Sequence, residues 1–328
     1  MKTIKNESKI VVIGGGTGSF SVLSGIKKYF NNITALVSMA DDGGSTGQLR
    51  DEYGVLPAGD VRQCLVALSK SPKIRDLFNY RFEDGGLNGH SFGNLFLTAL
   101  EKTTGNFREG IELASQILRV RGVVEPITLD KVVLAIKDGT SIIRHEHNID
   151  IRKFKCLRPE IWLEPKPRPN PAAIEAIKKA KIIIIAPGDL YTSLGAALVV
   201  PNIGAALKKS RARKIYICNL INKPGQTDGF SPIDYAEELE RMAGQQFIDV
   251  VLYNNRRPSR ELLEKYADDG ELPVRADSQE RRAAAHFQMI SANLIDKRIS
   301  SKSPSDKLKR SFIRHNPDLI AHNILREA

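Results

Sequence analysis

Short apolar runs recur along this 328-residue chain, and most are closed by a turn rich in glycine, proline or aspartate. Residues 10–13, 33–37, 181–186, 214–219 and 248–253 show little polar alternation, as expected of strands buried on both faces of a parallel sheet. Between them, residues 19–30, 95–100, 107–120, 172–179 and a stretch ending near 267 place apolar side chains three and four apart, which reads as amphipathic helix. Strand alternating with helix predicts an α/β chain, with a Rossmann-like, mostly parallel sheet and helices on both faces. One stretch breaks the rhythm. From about 123 to 163 the pieces are short and β-rich (132–136, 141–144 and 152–163), and Asp138-Gly139 reads as a hairpin turn. This predicts a small antiparallel insert, followed by a connector with four prolines in residues 164–171.

The turns that end the strands carry the candidate chemistry. Parallel strands put these turns on one edge of the sheet, where open α/β folds bind ligands. The first turn is Gly14, Gly15, Gly16, Thr17, Gly18, leading into a helix near Ser19; glycines allow close backbone approach, and a helix start suits a phosphate. Reading G-x-G-x-x-G from Gly14 puts Ser19 at the third glycine, and no lysine follows Gly18, so neither standard nucleotide fingerprint fits. The second turn supplies Asp41, Asp42 and the hydroxyls of Ser45 and Thr46. Asp41, twenty-seven residues after Gly14, stands where a dinucleotide fold places its ribose-binding carboxylate. Asp42 is the candidate to hold a divalent cation such as Mg²⁺ against a phosphate. Arg50 can grip a phosphate with two parallel bonds. Asp60 and Arg62 face back toward the same edge, and His90, Ser91 and Asn94 cluster at a helix start, where capping alone would also explain them. After the 181–186 run, Gly188, Thr192 and Ser193 repeat the logic of the first turn, with Asp189 an unfavourable neighbour for a phosphate unless a metal intervenes. Asn219 and Thr227 are candidates for base or ribose contacts, and Tyr266 for stacking on a base or packing on the sheet.

Charge adds a second feature. The formal net charge is +11, concentrated in residues 152–181, with nine Lys/Arg against three acids, and in residues 281–328, with ten against four. Such excess suits anionic ligands, but aromatic residues are only 6% and no nucleic-acid motif is present, so nucleic acid is not an expected partner. No apolar run reaches the length of a membrane span, and the first residues lack a secretory apolar core, so no membrane insertion is expected. Cys64, Cys156 and Cys218 are scattered without metal spacing, which fits reduced thiols in the cytoplasm. Residues 300–309, rich in Ser and Lys, read as a mobile loop.

The order GGGTG, MADDGGSTGQLR, LPAGDVRQCLVAL, GHSFGNLFLTAL, APGDLYTSLGAAL, CNLINKPGQTDGF resembles the YvcK/CofD-like family over nearly the whole chain, with the bacterial YvcK branch, often called gluconeogenesis factors, the nearer. The resemblance implies one CofD-like nucleotide-binding domain over residues 1–328, with the insert at about 123–163 and a basic segment at about 281–328. It implies that Asn94 approaches the ligand and that Arg314, in a closing Arg-His and Asn-Pro-Asp sequence, clamps a phosphate. Asp189 stands where the YvcK branch tends to have Ser, and Gln226 where many relatives have Glu. For function it implies a UDP-sugar-binding regulator linked to gluconeogenic growth, cell shape and envelope synthesis. The alternative is a metal-dependent transferase moving a 2-phospho-L-lactyl group from a guanylylated donor to a deazaflavin alcohol, with Asp41 and Asp42 positioning the metal. No nucleophile–base pair in the sequence demands catalysis, and a homo-oligomer is compatible with it.

Overall fold

The computed structural model describes residues 7–267, 270–296 and 313–327. Its centre is a seven-stranded sheet in the order β10-β9-β8-β7-β1-β2-β3, with every neighbouring pair parallel. The strands are β1 (Ile10–Ile13), β2 (Ile33–Val37), β3 (Val123–Pro126), β7 (Ile182–Ile185), β8 (Arg213–Ile217), β9 (Val250–Asn254) and β10 (Gln288–Ala292), while β4 (Val133–Asp138), β5 (Ser141–Arg144) and β6 (Glu160–Glu164) form a separate antiparallel sheet. In β1 and β7 every side chain is buried, and successive residues serve different cores: Ile10 and Val12 pack into one, Val11 and Ile13 into the other. Strands buried on both faces need helices on both faces.

The first core is covered by α1 (Gly16–Ile26), α3 (Gly59–Leu68), α4 (Pro72–Asn79), α5 (Phe92–Thr104), α6 (Phe107–Ile117) and, near the end of the described chain, α14 (Pro317–Glu327), while α2 (Gly44–Tyr53) lies against α5. The second takes α7 (Glu146–Asp150), α8 (Pro171–Lys179), a π-helical turn at Leu190–Gly195 running into α9 (Ala196–Leu198), α10 (Ile203–Lys209) and α11 (Pro232–Ala243), together with the inner face of the small sheet. Two further helices, α12 (Arg260–Ala267) and α13 (Gln279–Ala284), join β9 to β10.

The insert is smaller than its sequence pattern suggests. Val123–Pro126 is the edge strand of the main sheet, with Thr34 opposite Val123, so the antiparallel portion begins only at β4. A four-residue strand has no periodicity of its own, and only its pairing partner assigns it. The β4–β5 hairpin pairs Asp138 with Ser141, and residues 152–159 form no strand. The proline-rich connector is tied down: Asn170 caps α8 by accepting from Ala172 N, and its side chain donates to the Pro126 carbonyl at 2.8 Å. No single helix among the described residues is long and apolar enough to cross a membrane.

Candidate functional site

The carboxyl ends of β1, β2, β7 and β8 open into one cavity of about 870 Å³. Its floor is made by two glycine turns brought together by the adjacency of β1 and β7. Gly18 makes the fit possible: a Cβ there would stand 1.7 Å from the Pro187 carbonyl oxygen, so only glycine lets the start of α1 lie against the turn after β7. Gly15 is under the same restriction from the other side, its missing Cβ leaving room for Asp60 Oδ2. Gly16, at φ 61°, sits in left-handed backbone.

Helical segments that start at this cavity without a side-chain cap include α1 behind Gly15, α2 behind Gly43, α3 behind Ala58 and the π-helical turn behind Asp189. Uncapped starts leave N–H groups and a positive dipole end facing the space. Acidic side chains answer them. Asp60, in the first turn of α3, accepts from Gly16 N at 2.8 Å, and Asp41 accepts from Gly43 N at 3.0 Å. Burial, reinforced by the charge of Asp41, pushes the Asp60 carboxyl up to about 7 against the opposing Gly16 N–H. Burial likewise raises Asp41, opposed by its bonds from Gly43 and Thr46. Glu146, on α7, is pushed up to about 9 by burial and then by the charges of Asp41, Asp150, Asp189 and Asp42.

Cations stand opposite these acids. Lys223, in the turn after β8, lies 2.8 Å from Asp189 Oδ2 and is also bonded to Asp150. Burial alone would lower the Lys223 ammonium, but the two carboxylates outweigh it and hold the group above its ordinary value. Arg62 is buried in the cavity wall, where its Nε donates to Asn94 Oδ1 at 2.9 Å and its guanidinium to Asn79 Oδ1 at 2.8 Å. This bond fixes the Asn94 amide, whose Nδ2 is turned to Ser45 Oγ and Thr46 Oγ1 at 3.3 and 3.4 Å. Arg314 reaches the cavity from the segment before α14, and its neighbour His315 anchors that segment through Nε2 and the Cys218 carbonyl at 3.0 Å. Burial drives His315 down to about 4, so it is neutral and donates this bond.

Residues 10–295 match the family described as 2-phospho-L-lactate transferase CofD. The chain belongs to the CofD family. Among CofD-family relatives, the gluconeogenesis factor of Halalkalibacterium halodurans is 42% identical over 84% of this chain and 87% of its own length. A Nostoc relative is 43% identical over 97% of this chain and 68% of its own length. A crystal structure of a UPF0052 family member from Bacillus halodurans superposes with a TM-score of 0.87 at 38% identity, covering 98% of this chain and 99% of that one.

Within this CofD-family fold, many of the residues singled out in the sequence share the cavity: Gly15, Gly16, Thr17 and Gly18 meet Asp41, Ser45, Thr46, Asn94, Gly188, Thr192, Ser193 and Arg314 there. Thr192 Oγ1 is buried with no hydrogen-bond partner among the described residues, a hydroxyl open to an incoming acceptor or donor. Gly14 stands behind the wall, its N–H donating to the Leu36 carbonyl at 3.1 Å. Asn219 and Thr227 reach the cavity but are occupied. The Asn219 amide pairs with both the N–H and the carbonyl of Gly188, and Thr227 Oγ1 accepts from Lys223 N and from the Tyr235 hydroxyl. Both shape neighbouring turns rather than offer free groups to a base.

Two expected residues fall elsewhere. Asp42 is not in the cavity wall: its carboxylate accepts from Glu146 N, His147 N and His145 Nδ1 at 2.9–3.1 Å, capping α7. Arg50 faces a second hollow with Lys131 and Glu164, donates to the Val132 carbonyl and lies 3.8 Å from Asp42. The alternation along the 41–50 turn and helix sends these two side chains toward the insert. Asp60 therefore stands where Asp42 was expected, and Lys223 and Arg62 where Arg50 was. Nothing local in the sequence marks Lys223, although it lies in a turn after a strand, as the other candidates do. Glu146 and Asp150 come from the insert and had no signal at all. The side chain of Tyr266 and residues 300–309 lie outside the described residues.

Proposed function

We propose that the cavity binds a nucleoside diphosphate sugar of the UDP-sugar kind, and that the protein is a cytoplasmic, ligand-responsive regulator of gluconeogenic growth, cell shape and envelope synthesis. The observation that carries the ligand is the packing of Gly18 against Pro187, which sets two uncapped helix starts side by side. Two adjacent phosphates suit two adjacent sets of N–H donors, with Lys223 and Arg314 as countercharges. The gluconeogenesis-factor name of the relatives supports the metabolic role. A calorimetric titration against UDP-, GDP- and adenine nucleotides and their sugar conjugates tests this reading; a UDP-sugar should bind most tightly and be recovered unchanged. Stronger binding of adenine nucleotides, or turnover of the sugar conjugate, would overturn it.

A second reading rests on the charge of Asp41, which raises the carboxyl of its neighbour Asp60 in the cavity wall. Two carboxylates that close fit a divalent cation, and Mg²⁺ is commonly held by one or two carboxylates together with substrate phosphates. When bound, such an ion would neutralise charge on the departing nucleoside monophosphate, in keeping with the transferase named in the CofD description. In that case Asp41 and Asp60 hold the ion, the helix starts hold the diphosphate, and Asn94 orients Ser45 and Thr46 toward it. Supplying a guanylylated 2-phospho-L-lactate donor, a deazaflavin alcohol and Mg²⁺ should then release GMP, and Asp60→Asn should abolish the release.

A further inference from the structure

The edge of the sheet opposite the cavity carries a basic surface. Lys9 precedes β1, Lys181 precedes β7 and Arg211 lies just before β8, while Lys178 ends α8 and Lys208 and Lys209 end α10. Backbone bonds fix them as neighbours. Lys181 N donates to the Lys9 carbonyl at 2.9 Å, Arg213 N to the Lys181 carbonyl at 3.0 Å, and Ser210 Oγ ties the end of α10 to the Ile177 carbonyl of α8 at 2.9 Å. Glu175 feels Lys179, Lys178 and Lys9 together. All six cations are exposed, and none has a carboxylate partner among the described residues. Three acids of this edge are paired with other cations, Glu175 with Lys179, Asp249 with Lys214 and Glu327 with Arg213, while Glu7 accepts from Asn31 and Asn32.

Lysines in a last helical turn complement the helix dipole, which accounts for Lys178, Lys208 and Lys209 but not for Lys9, Lys181 or Arg211. We infer that this face is a docking surface for an anionic phospholipid bilayer, bound peripherally. The strand starts are level along this edge: Ile10 stands opposite Ile33 and Ile182, and Ile182 opposite Arg213. Five of the six cations are lysines, compact point charges suited to a diffuse anionic surface rather than the planar forks that read a nucleic-acid backbone. No aromatic for stacking lies in the segments 178–181 and 208–211 that carry most of them. Further along the same edge, α6 ends on Ile117, 45% exposed, and β3 begins on Val123, 49% exposed, with exposed Arg121 beside it. Apolar side chains flanked by cations suit a headgroup layer.

Flotation with vesicles tests this. The full chain should float with phosphatidylcholine vesicles containing about 30% phosphatidylglycerol, fail to float with pure phosphatidylcholine, and dissociate as salt screens the charges. The variant combining Lys178→Glu, Lys181→Glu, Lys208→Glu and Lys209→Glu should bind such vesicles at least about tenfold more weakly, with an unchanged thermal midpoint. The same variant should leave nucleotide titrations unaltered, since the cavity is on the other edge. Flotation independent of phosphatidylglycerol, or a folded variant that floats as the parent does, would overturn the inference. So would displacement from vesicles by duplex DNA at equal phosphate, which would assign the face to nucleic acid.

Discussion

Lys223 is held between Asp189 and Asp150, so an anion entering beside Gly188 competes with two carboxylates for one ammonium. Replacing it by Met should weaken binding of the nucleotide by about tenfold or more, as expected for loss of a charge-assisted contact, read by calorimetry. Asp60 makes a pH prediction. Its carboxyl titrates near 7 in the folded chain against 3.8 ordinarily, so between about pH 4 and 7 the unfolded state has lost a proton that the folded state keeps. Stability therefore falls as pH rises through that window, and Glu146, near 9, extends the fall upward. Urea midpoints measured across this range should slope less in Asp60→Asn than in the parent. The same proton matters for binding: without a divalent cation, affinity for a diphosphate should decline as pH rises past 7, because Asp60 becomes an anion at the start of α1.

Helix α7 is the element that joins the insert to the cavity, and it is held at both ends. Asp42 caps its start, and at its end Gln226 Nε2 donates to the carbonyls of Ile149, Asp150 and Arg152 at 2.8–3.2 Å. A helix this short has almost no intrinsic stability, so its caps decide whether it persists. Asp42→Ala should cost about 0.5–2 kcal/mol, and hydrogen exchange should rise in residues 146–150 while β1 stays protected. The contact between the turn after β1 and the turn after β7 depends on one glycine in the same way. Gly18→Ala would drive a methyl into the Pro187 carbonyl, so one turn must move; a loss of about 1–3 kcal/mol in stability is expected, together with weaker nucleotide binding. The glycine turns were legible in the sequence because a strand followed by glycines and a helix start is a local pattern. The choice between Asp41 and Asp42 was not, because adjacent residues in a turn point to different sides and only the packing of the insert shows which side is the cavity.

At the scale of the molecule, the parallel sheet separates two surfaces of opposite character: a cavity rich in acids and helix starts at the carboxyl edge, and a lysine-rich face at the amino edge. The uneven charge visible in residues 152–181 falls partly on that amino edge, through Lys178 and Lys181, rather than beside the cavity. By itself the sequence determined the alternation of strand and helix, the parallel sheet and the turns at its carboxyl edge, because hydrophobic periodicity and glycine act over a few residues. Strand order, the assignment of Val123–Pro126 to the main sheet, and the meeting of Asp60, Glu146, Asp189 and Lys223 in one space were decided only by tertiary structure. Those features depend on contacts between residues far apart in the chain, such as Gly16 with Asp60 and Asp42 with His147, and no local pattern encodes the partner.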